Sequence, residues 1–485
     1  MDEVKINEIP EEPSSKINDE AVFHVARILN GAALSEPEGP DGETVSLLHG
    51  GARITMKRKT YALYKLLADR VGADLAKEGI RANINPSELE ALFYTQYRIG
   101  KQAFAEFKTD PAMLRVLWIR SGDGGCTYYR TVQPVAYMQK LPKESPVKVE
   151  EHGTLSVDFG LQYDVIVAPR VQERGWVTIL NELREHGRIV IYETDDLLEA
   201  IPEWNPAAKQ TQMSKTHREI LRNTADAIIV STPELKNDLG RSEVTWVCKN
   251  GIHPQCWPMR VAEQEEGDEI RILWAGGSSH ENDLQLIVPA ITRLSHRFTK
   301  KRLKWVFVGY SPKVIRKTVF QDDHPKWIIK PEYDPLVEVV NGCPVYEWGK
   351  LLASLRCHMA IAPLVEHRFN ESKSEIKCLE AWALGLPIIA SKSAPYSRAI
   401  QNETQGVLVG PDERQWETEI ERLARSREKR LELAAGGLER LKSGYLMENI
   451  VFDYECALLE IADRSGKLTR PECVTAVKKR LEVYR

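Results

Sequence analysis

The chain has 485 residues, 42% of them apolar and 28% charged, with a net charge of −4 at pH 7. That length exceeds what one hydrophobic core sustains, so two or three domains are expected, and the balanced composition belongs to an ordinary globular protein rather than a strongly basic one. No apolar run reaches membrane-spanning length, and the acidic N-terminus lacks the basic and apolar parts of a signal peptide, so a cytoplasmic protein with no transmembrane segment is expected. The eight cysteines include no CxxC pair, Cys248 and Cys256 being too far apart, which points to reduced thiols and no bound metal.

Residues 1–110 read as an N-terminal extension. An acidic, Pro/Ser-containing tail and a Gly/Pro-rich stretch near Leu34–Gly42 give way to a mainly helical part, with helical spacing over Thr60–Val71 and a helix opening at Asn85-Pro86-Ser87 toward Phe107. The basic cluster Arg53, Lys57, Arg58 and Lys59 is either a solvated face or a patch for phosphate or nucleic acid.

Residues 111–262 alternate strands and helices, with strands expected at Val116–Arg120, Tyr163–Ala168, Arg188–Glu193, Ala227–Ser231 and Val244–Cys248. This is the pattern of a Rossmann-like domain. A second such domain, 263–445, follows the acidic linker Gln264–Glu269. Its expected strands are Ile270–Trp274, Trp305–Val308, Trp327–Ile329, Met359–Leu364, Ile388–Ala390 and Val407–Val409. Residues 446–485 are expected to be helical. The fold class is therefore α/β: two tandem Rossmann-like domains behind a mainly helical extension.

Ligand-binding loops of such domains lie at the carboxyl ends of strands, which singles out several clusters. The first strand of 111–262 runs into Ser121-Gly122-Asp123-Gly124-Gly125, followed by Tyr129 and Arg130. This is either a tight turn or a loop whose backbone approaches a ligand while Arg130 reaches a phosphate or an acceptor. Asp195 and Asp196 end a later strand. Adjacent residues of an extended chain point opposite ways, so one carboxylate is expected to face a cleft, where it could orient or deprotonate a hydroxyl, and the other to cap the next helix. In the second domain, Gly276, Gly277, Ser278, Ser279 and His280 form the first loop, with His280 either structural or in contact with a leaving phosphate. Tyr310 follows Gly309 and either edges a nucleotide base or belongs to a glycine turn.

The most informative run is His358–Ser391. A buried strand ending near Leu364 leads through a polar loop into a helix with apolar Ile376, Leu379, Ala381, Ala383 and Leu384, which Gly385 closes and Pro387 forbids from continuing. The loop and first helical turn carry Asn370, Lys373, Ser374 and Lys377, with Glu380 a turn beyond. Backbone N–H groups and lysines favour a diphosphate there, and a glutamate further along can accept hydrogen bonds from a sugar diol.

This segment resembles the donor-binding signature of the GT-B glycosyltransferases, in particular the large retaining group that includes many bacterial mannosyl- and glucosyltransferases. That group carries two glutamates eight positions apart, the second holding the donor ribose and the first touching the donor sugar. Glu380 matches the second; Ser372 stands at the first, with Glu371 one step out of register. The group's usual arginine and lysine after the first strand of the second domain are also absent from Trp274–His280, leaving glycine amides, Ser278 or Ser279, His280, Lys373 and Lys377 to stabilise the diphosphate.

The resemblance implies that the second domain binds the donor, that the first mostly binds the acceptor and lines the diphosphate with its glycine loop, and that the C-terminal helices cross back to the first domain. It implies transfer of a sugar from a nucleoside-diphosphate sugar, a UDP- or GDP-sugar being expected, to an acceptor hydroxyl, without bound metal or resident cofactor and with retention; inversion with Asp195 or Asp196 as base is the other route. The acceptor is a glycan, a protein or DNA, the last two as in phage-encoded modifying transferases. Two alternatives stand beside it: a non-catalytic shell that holds a nucleotide sugar, and a nucleotide-sugar epimerase.

Overall fold

The computed structural model describes residues 4–5, 44–49, 52–57 and 110–484, apart from 121, 123, 172–173, 264–266, 299–301, 311–335 and 402. The chain divides into two compact units, Met1–Glu106 and Phe107–Arg485. In the first unit β1 (Val4–Lys5), β2 (Thr44–His49) and β3 (Ala52–Lys57) form a sheet of order β1-β3-β2. β2 and β3 are antiparallel, with His49 paired to Ala52. The basic residues Arg53 and Lys57 therefore belong to a strand. The helices expected over Thr60–Val71 and from Asn85, together with Arg58 and Lys59, lie outside the described residues.

The second unit contains two six-stranded parallel sheets. The first comprises β4 (Leu114–Ile119), β5 (Val147–His152), β6 (Val165–Pro169), β7 (Ile189–Thr194), β8 (Ala227–Val230) and β9 (Thr245–Val247), in the order β5-β4-β6-β7-β8-β9. The second comprises β10 (Glu269–Ala275), β11 (Arg302–Val308), β12 (Val337–Val340), β13 (Met359–Ala362), β14 (Ile388–Ser391) and β15 (Val407–Val409), in the order β12-β11-β10-β13-β14-β15. Strand order reverses between β4 and β6 in one and between β10 and β13 in the other, so each sheet opens a crevice at its carboxyl end there.

The inner strands are buried on both faces, which explains their unbroken apolar runs: all six residues of β7 and all five of β6 are buried. β5 and β12 are additions to the sequence reading. Both are edge strands, and their glutamates and lysine (VKVEEH and VEVV) interrupt the apolar run by which inner strands are recognised. The strand expected at Trp327–Ile329 lies outside the described residues.

One face of the first sheet, including Val116, Trp118, Val165 and Ile191, packs against Met447, Ile450, Tyr454, Leu458 and Ile461 of the helix Met447–Ser465. The chain thus returns to the first sheet after completing the second. The crossing is fixed where Ile252 N–H donates to Tyr445 O (2.8 Å) and Met447 N–H donates to Ile252 O (3.0 Å). All eight cysteines are free, and no helix among the described residues is long and apolar enough to cross a membrane.

Candidate active site between the two sheets

The helix Ile376–Ala383 forms one wall. It ends in a Schellman closure: Gly385 N–H donates to Trp382 O and Leu386 N–H to Ala381 O, both at 2.9 Å. Gly385 has φ +70°, and a Cβ there would lie 2.0 Å from Arg260 O, so both conformation and space require glycine. At its other end the helix presents Lys377, whose Nζ donates to Ala275 O at 2.7 Å, and Glu380, 3.6 Å from the same ammonium. The helix thereby docks on the loop that leaves β10. That loop is held to its neighbour: Gly276 N–H donates to Val308 O (3.0 Å), and a Cβ on Gly309, at φ +85°, would approach Gly276 O to 2.9 Å. Gly277, Ser278 and Ser279 beyond it are exposed.

His280 follows, its Nδ1 2.7 Å from Asp283 Oδ2. Burial holds its pKa below the usual imidazole value, outweighing Asp283. The neutral ring donates from Nδ1, which leaves Nε2 as an acceptor. Asp283 Oδ1 in turn accepts from Val365 N–H (2.9 Å) and Asn370 Nδ2 (3.4 Å), so the loop after β13 is tied to the loop after β10. Burial and a hydrogen bond to Glu281 raise the Tyr310 hydroxyl above its ordinary pKa.

The opposite wall comes from the first sheet. After β4 the backbone passes Gly124 and Gly125 into a helix that contains a π-turn over Tyr128–Val132, a distortion often found at functional sites. Tyr129 leaves this turn and donates its hydroxyl to Glu380 Oε1 at 3.0 Å. Arg130, expected to reach a phosphate or acceptor, points into the first domain instead: it is 1% exposed, its Nε donates to Glu193 Oε1 (2.6 Å), and its Nη1 donates to Cys248 O (2.7 Å) and Asn250 Oδ1 (2.9 Å). Burial pushes the Glu193 carboxyl up to about 7 against the pull of Arg130.

At the end of β7, Asp195 and Asp196 differ from the alternating expectation. Neither carboxylate caps a helix. Both face Arg170, whose guanidinium lies 3.3 Å from Asp195 Oδ1 and 3.6 Å from Asp196 Oδ2 and donates to Cys126 Sγ at 2.7 Å. Arg170 follows β6, beside the strand-order reversal, and sits at φ +49°, an uncommon backbone position for a side chain of its size. Across the cleft Lys373 Nζ approaches Asp196 Oδ1 at 3.4 Å. Burial raises the Asp196 pKa, but Lys373 and Arg170 together outweigh it and hold the carboxyl below the usual range. Ligand atoms of Cys126, Asp195 and Asp196 lie within 4.8 Å of one another. Burial and Asp195 raise the Cys126 thiol far above its ordinary pKa, and Arg170 already neutralises the acids, so this set is poorly suited to a metal ion.

Other bonds close the two walls. Asn250 Nδ2 donates to Ser374 Oγ (2.8 Å), Thr232 Oγ1 to Ser372 O (2.8 Å), and Ser372 Oγ to Asp238 Oδ2 (2.6 Å). Ser372 is wholly buried, and Glu371 accepts from Ala394 N–H at 2.7 Å, capping a neighbouring helix. The structure therefore brings Tyr129, Asp196, His280, Lys373, Ser374, Lys377 and Glu380 around one cleft. Arg170, Asn250 and Asp283 are additions to the sequence reading; a lone charged residue after a strand is too common a pattern to identify without its partners.

Residues 269–426 match the family model described as glycosyl transferases group 1. The match thus falls on the domain of the second sheet, and the two doubly wound parallel sheets, facing one another through their carboxyl-end loops, have the GT-B architecture. No curated protein matches it in sequence. Similar solved structures include Anabaena HepE in complex with UDP and glucose (12% identity, TM-score 0.47, covering 70% of this chain and 98% of that one). The sucrose-phosphate synthase of Thermosynechococcus elongatus is 16% identical (TM-score 0.47; 70% and 97%), and a glycosyltransferase from Rickettsia africae ESF-5 is 12% identical (TM-score 0.49; 73% and 98%).

Proposed function

We propose that the enzyme transfers a sugar from a nucleoside-diphosphate sugar, a UDP- or GDP-sugar, to an acceptor hydroxyl, without a metal ion and with retention of configuration. The observation that carries this reading is the docking of Lys377 and Glu380 beside the glycine loop after β10, with Lys377 Nζ 2.7 Å from Ala275 O. Glu380 offers a carboxylate to the ribose diol. Lys377, Lys373 and the amide of Gly277 surround the space beside it, where charge develops on the departing diphosphate. Cations and amides of this kind perform the neutralisation that a metal would otherwise supply.

Retention is favoured by the state of Asp196. An inverting transfer needs a base opposite the leaving group, and a carboxylate whose pKa is depressed by two cations is a weak base. Asp195 and Asp196 are better suited to orienting the acceptor, while the departing phosphate oxygen takes the proton from the attacking hydroxyl on the same face. Neutral His280, anchored through Asp283, offers Nε2 as a hydrogen-bond acceptor to a sugar hydroxyl. Release of nucleoside diphosphate from a panel of UDP-, GDP-, ADP- and TDP-sugars tests the reading: one donor should be slowly hydrolysed, and none being bound or hydrolysed would overturn it.

A further inference from the structure

Beside the cleft lies a groove of about 590 Å³ that nothing above employs. One side is Trp204, on the loop that leaves Asp195 and Asp196; it is 47% exposed, the most exposed tryptophan among the described residues. The ring is held from behind. Asn205 N–H donates to Pro202 O (3.0 Å), Asn205 Oδ1 accepts from Ala207 N–H (3.0 Å), and His367 of the second domain meets the indole edge to face at 5.2 Å. The other side carries Asn282, Gln285, Glu366 and Asp412. Glu366 is exposed and has no bonding partner among the described residues, and Asp412 uses one carboxylate oxygen on Arg414 N–H (2.9 Å). Val365 completes the groove, and its N–H is bonded to Asp283, the residue that anchors His280.

We propose that this groove binds a saccharide, the acceptor of the transfer reaction; its role as acceptor rests on the function proposed above, its chemistry does not. A pyranose presents a face of C–H groups and a rim of hydroxyls. A fixed, exposed indole face matches the former, and carboxylates and amides opposite it match the latter. Among the described residues no lysine or arginine lines the groove, which suits a neutral sugar and opposes a nucleic-acid backbone, whose phosphates require cations. Through Val365 N–H, bonded to Asp283, the groove adjoins the loop that anchors His280.

Saturation-transfer NMR on the full chain, with methyl α-D-glucopyranoside, methyl α-D-galactopyranoside, methyl α-D-mannopyranoside and maltotriose as probes, tests this directly. At least one should receive saturation at its ring C–H protons, and the effect should fall at least fivefold in Trp204→Ala while surviving in Trp204→Tyr. A Glu366→Gln variant should weaken it two- to threefold. Because Trp204 is half exposed, an unchanged melting profile certifies the variants as folded. No signal from any probe, a signal equal in Trp204→Ala, or Trp204-dependent binding of a DNA duplex or peptide instead would overturn the proposal. If a glycoside binds through Trp204 but no nucleotide sugar is hydrolysed, the saccharide site stands and the transferase reading falls.

Discussion

Tyr129 of the first domain donates its hydroxyl to Glu380 of the second at 3.0 Å, across 251 residues of sequence. On the function proposed above, the carboxylate that would take a donor ribose therefore already accepts one hydrogen bond. Burial and Glu380 raise the Tyr129 pKa well above that of an ordinary phenol, so the hydroxyl keeps its proton and its role as donor. On the function proposed above, a nucleotide ribose would compete with Tyr129 for this carboxylate.

Tyr129→Phe should accordingly tighten UDP or GDP binding, whichever the enzyme uses, by roughly fivefold, equivalent to about 1 kcal/mol for one hydrogen bond removed from the competing state. Calorimetric titration measures it. Weaker binding in the variant would show that the tyrosine helps to hold the nucleotide instead of competing with it.

Lys377→Ala should lower turnover more than donor affinity, by about 10- to 100-fold in kcat, because charge on the departing diphosphate grows in the transition state. Lys373→Ala should do the same more mildly, since Lys373 also faces Asp196. Steady-state donor hydrolysis separates kcat from KM, and a change confined to KM would contradict the assignment.

Arg170 is the cation on which the first wall depends. Arg170→Ala leaves Asp195 and Asp196 side by side with Lys373 alone, and should cost about 2–3 kcal/mol of stability as a buried pair loses its partner. Arg170→Lys should recover part of that. Urea unfolding of both variants measures the difference, and a loss below 0.5 kcal/mol, about the effect of an ordinary surface substitution, would show the cluster to be structurally idle.

The sign of the pH dependence follows from Asp196. Its folded pKa lies below that of an ordinary aspartate, held down by Lys373 and Arg170, so its ion pairs contribute stability above the ordinary carboxylate range and lose it as pH falls through the depressed value. The stability gap between the wild type and Asp196→Asn should be largest near pH 6–7, at roughly 1–2 kcal/mol, shrink as pH falls below about 4, and close only below the depressed value. Denaturation measured across that range tests this; a gap that widens toward acid would reverse the sign.

What the sequence made legible was local. In Met359–Ser391 the strand, the helix, its glycine stop and the proline after it are adjacent, and each has a physical reason to be where it is, so the wall carrying Lys373, Lys377 and Glu380 could be read directly. The first wall could not. Arg170 gains meaning only from Asp195 and Asp196, on another strand, and Arg130 looked free until β7 placed Glu193 against it. The alternation rule failed at Asp195-Asp196 because the chain leaves the strand at Thr194, and beyond that point successive side chains no longer point to opposite faces. β5 and β12 escaped because edge strands can afford charges.

The function proposed above turns on Glu380 holding the nucleotide of a sugar donor. Calorimetric titration of wild type and Glu380→Ala with the donor that the panel selects tests it most directly. The variant should bind about 10- to 100-fold more weakly, the loss of roughly 1.5–3 kcal/mol expected for hydrogen bonds to a charged group. Equal affinity in the two proteins would contradict it.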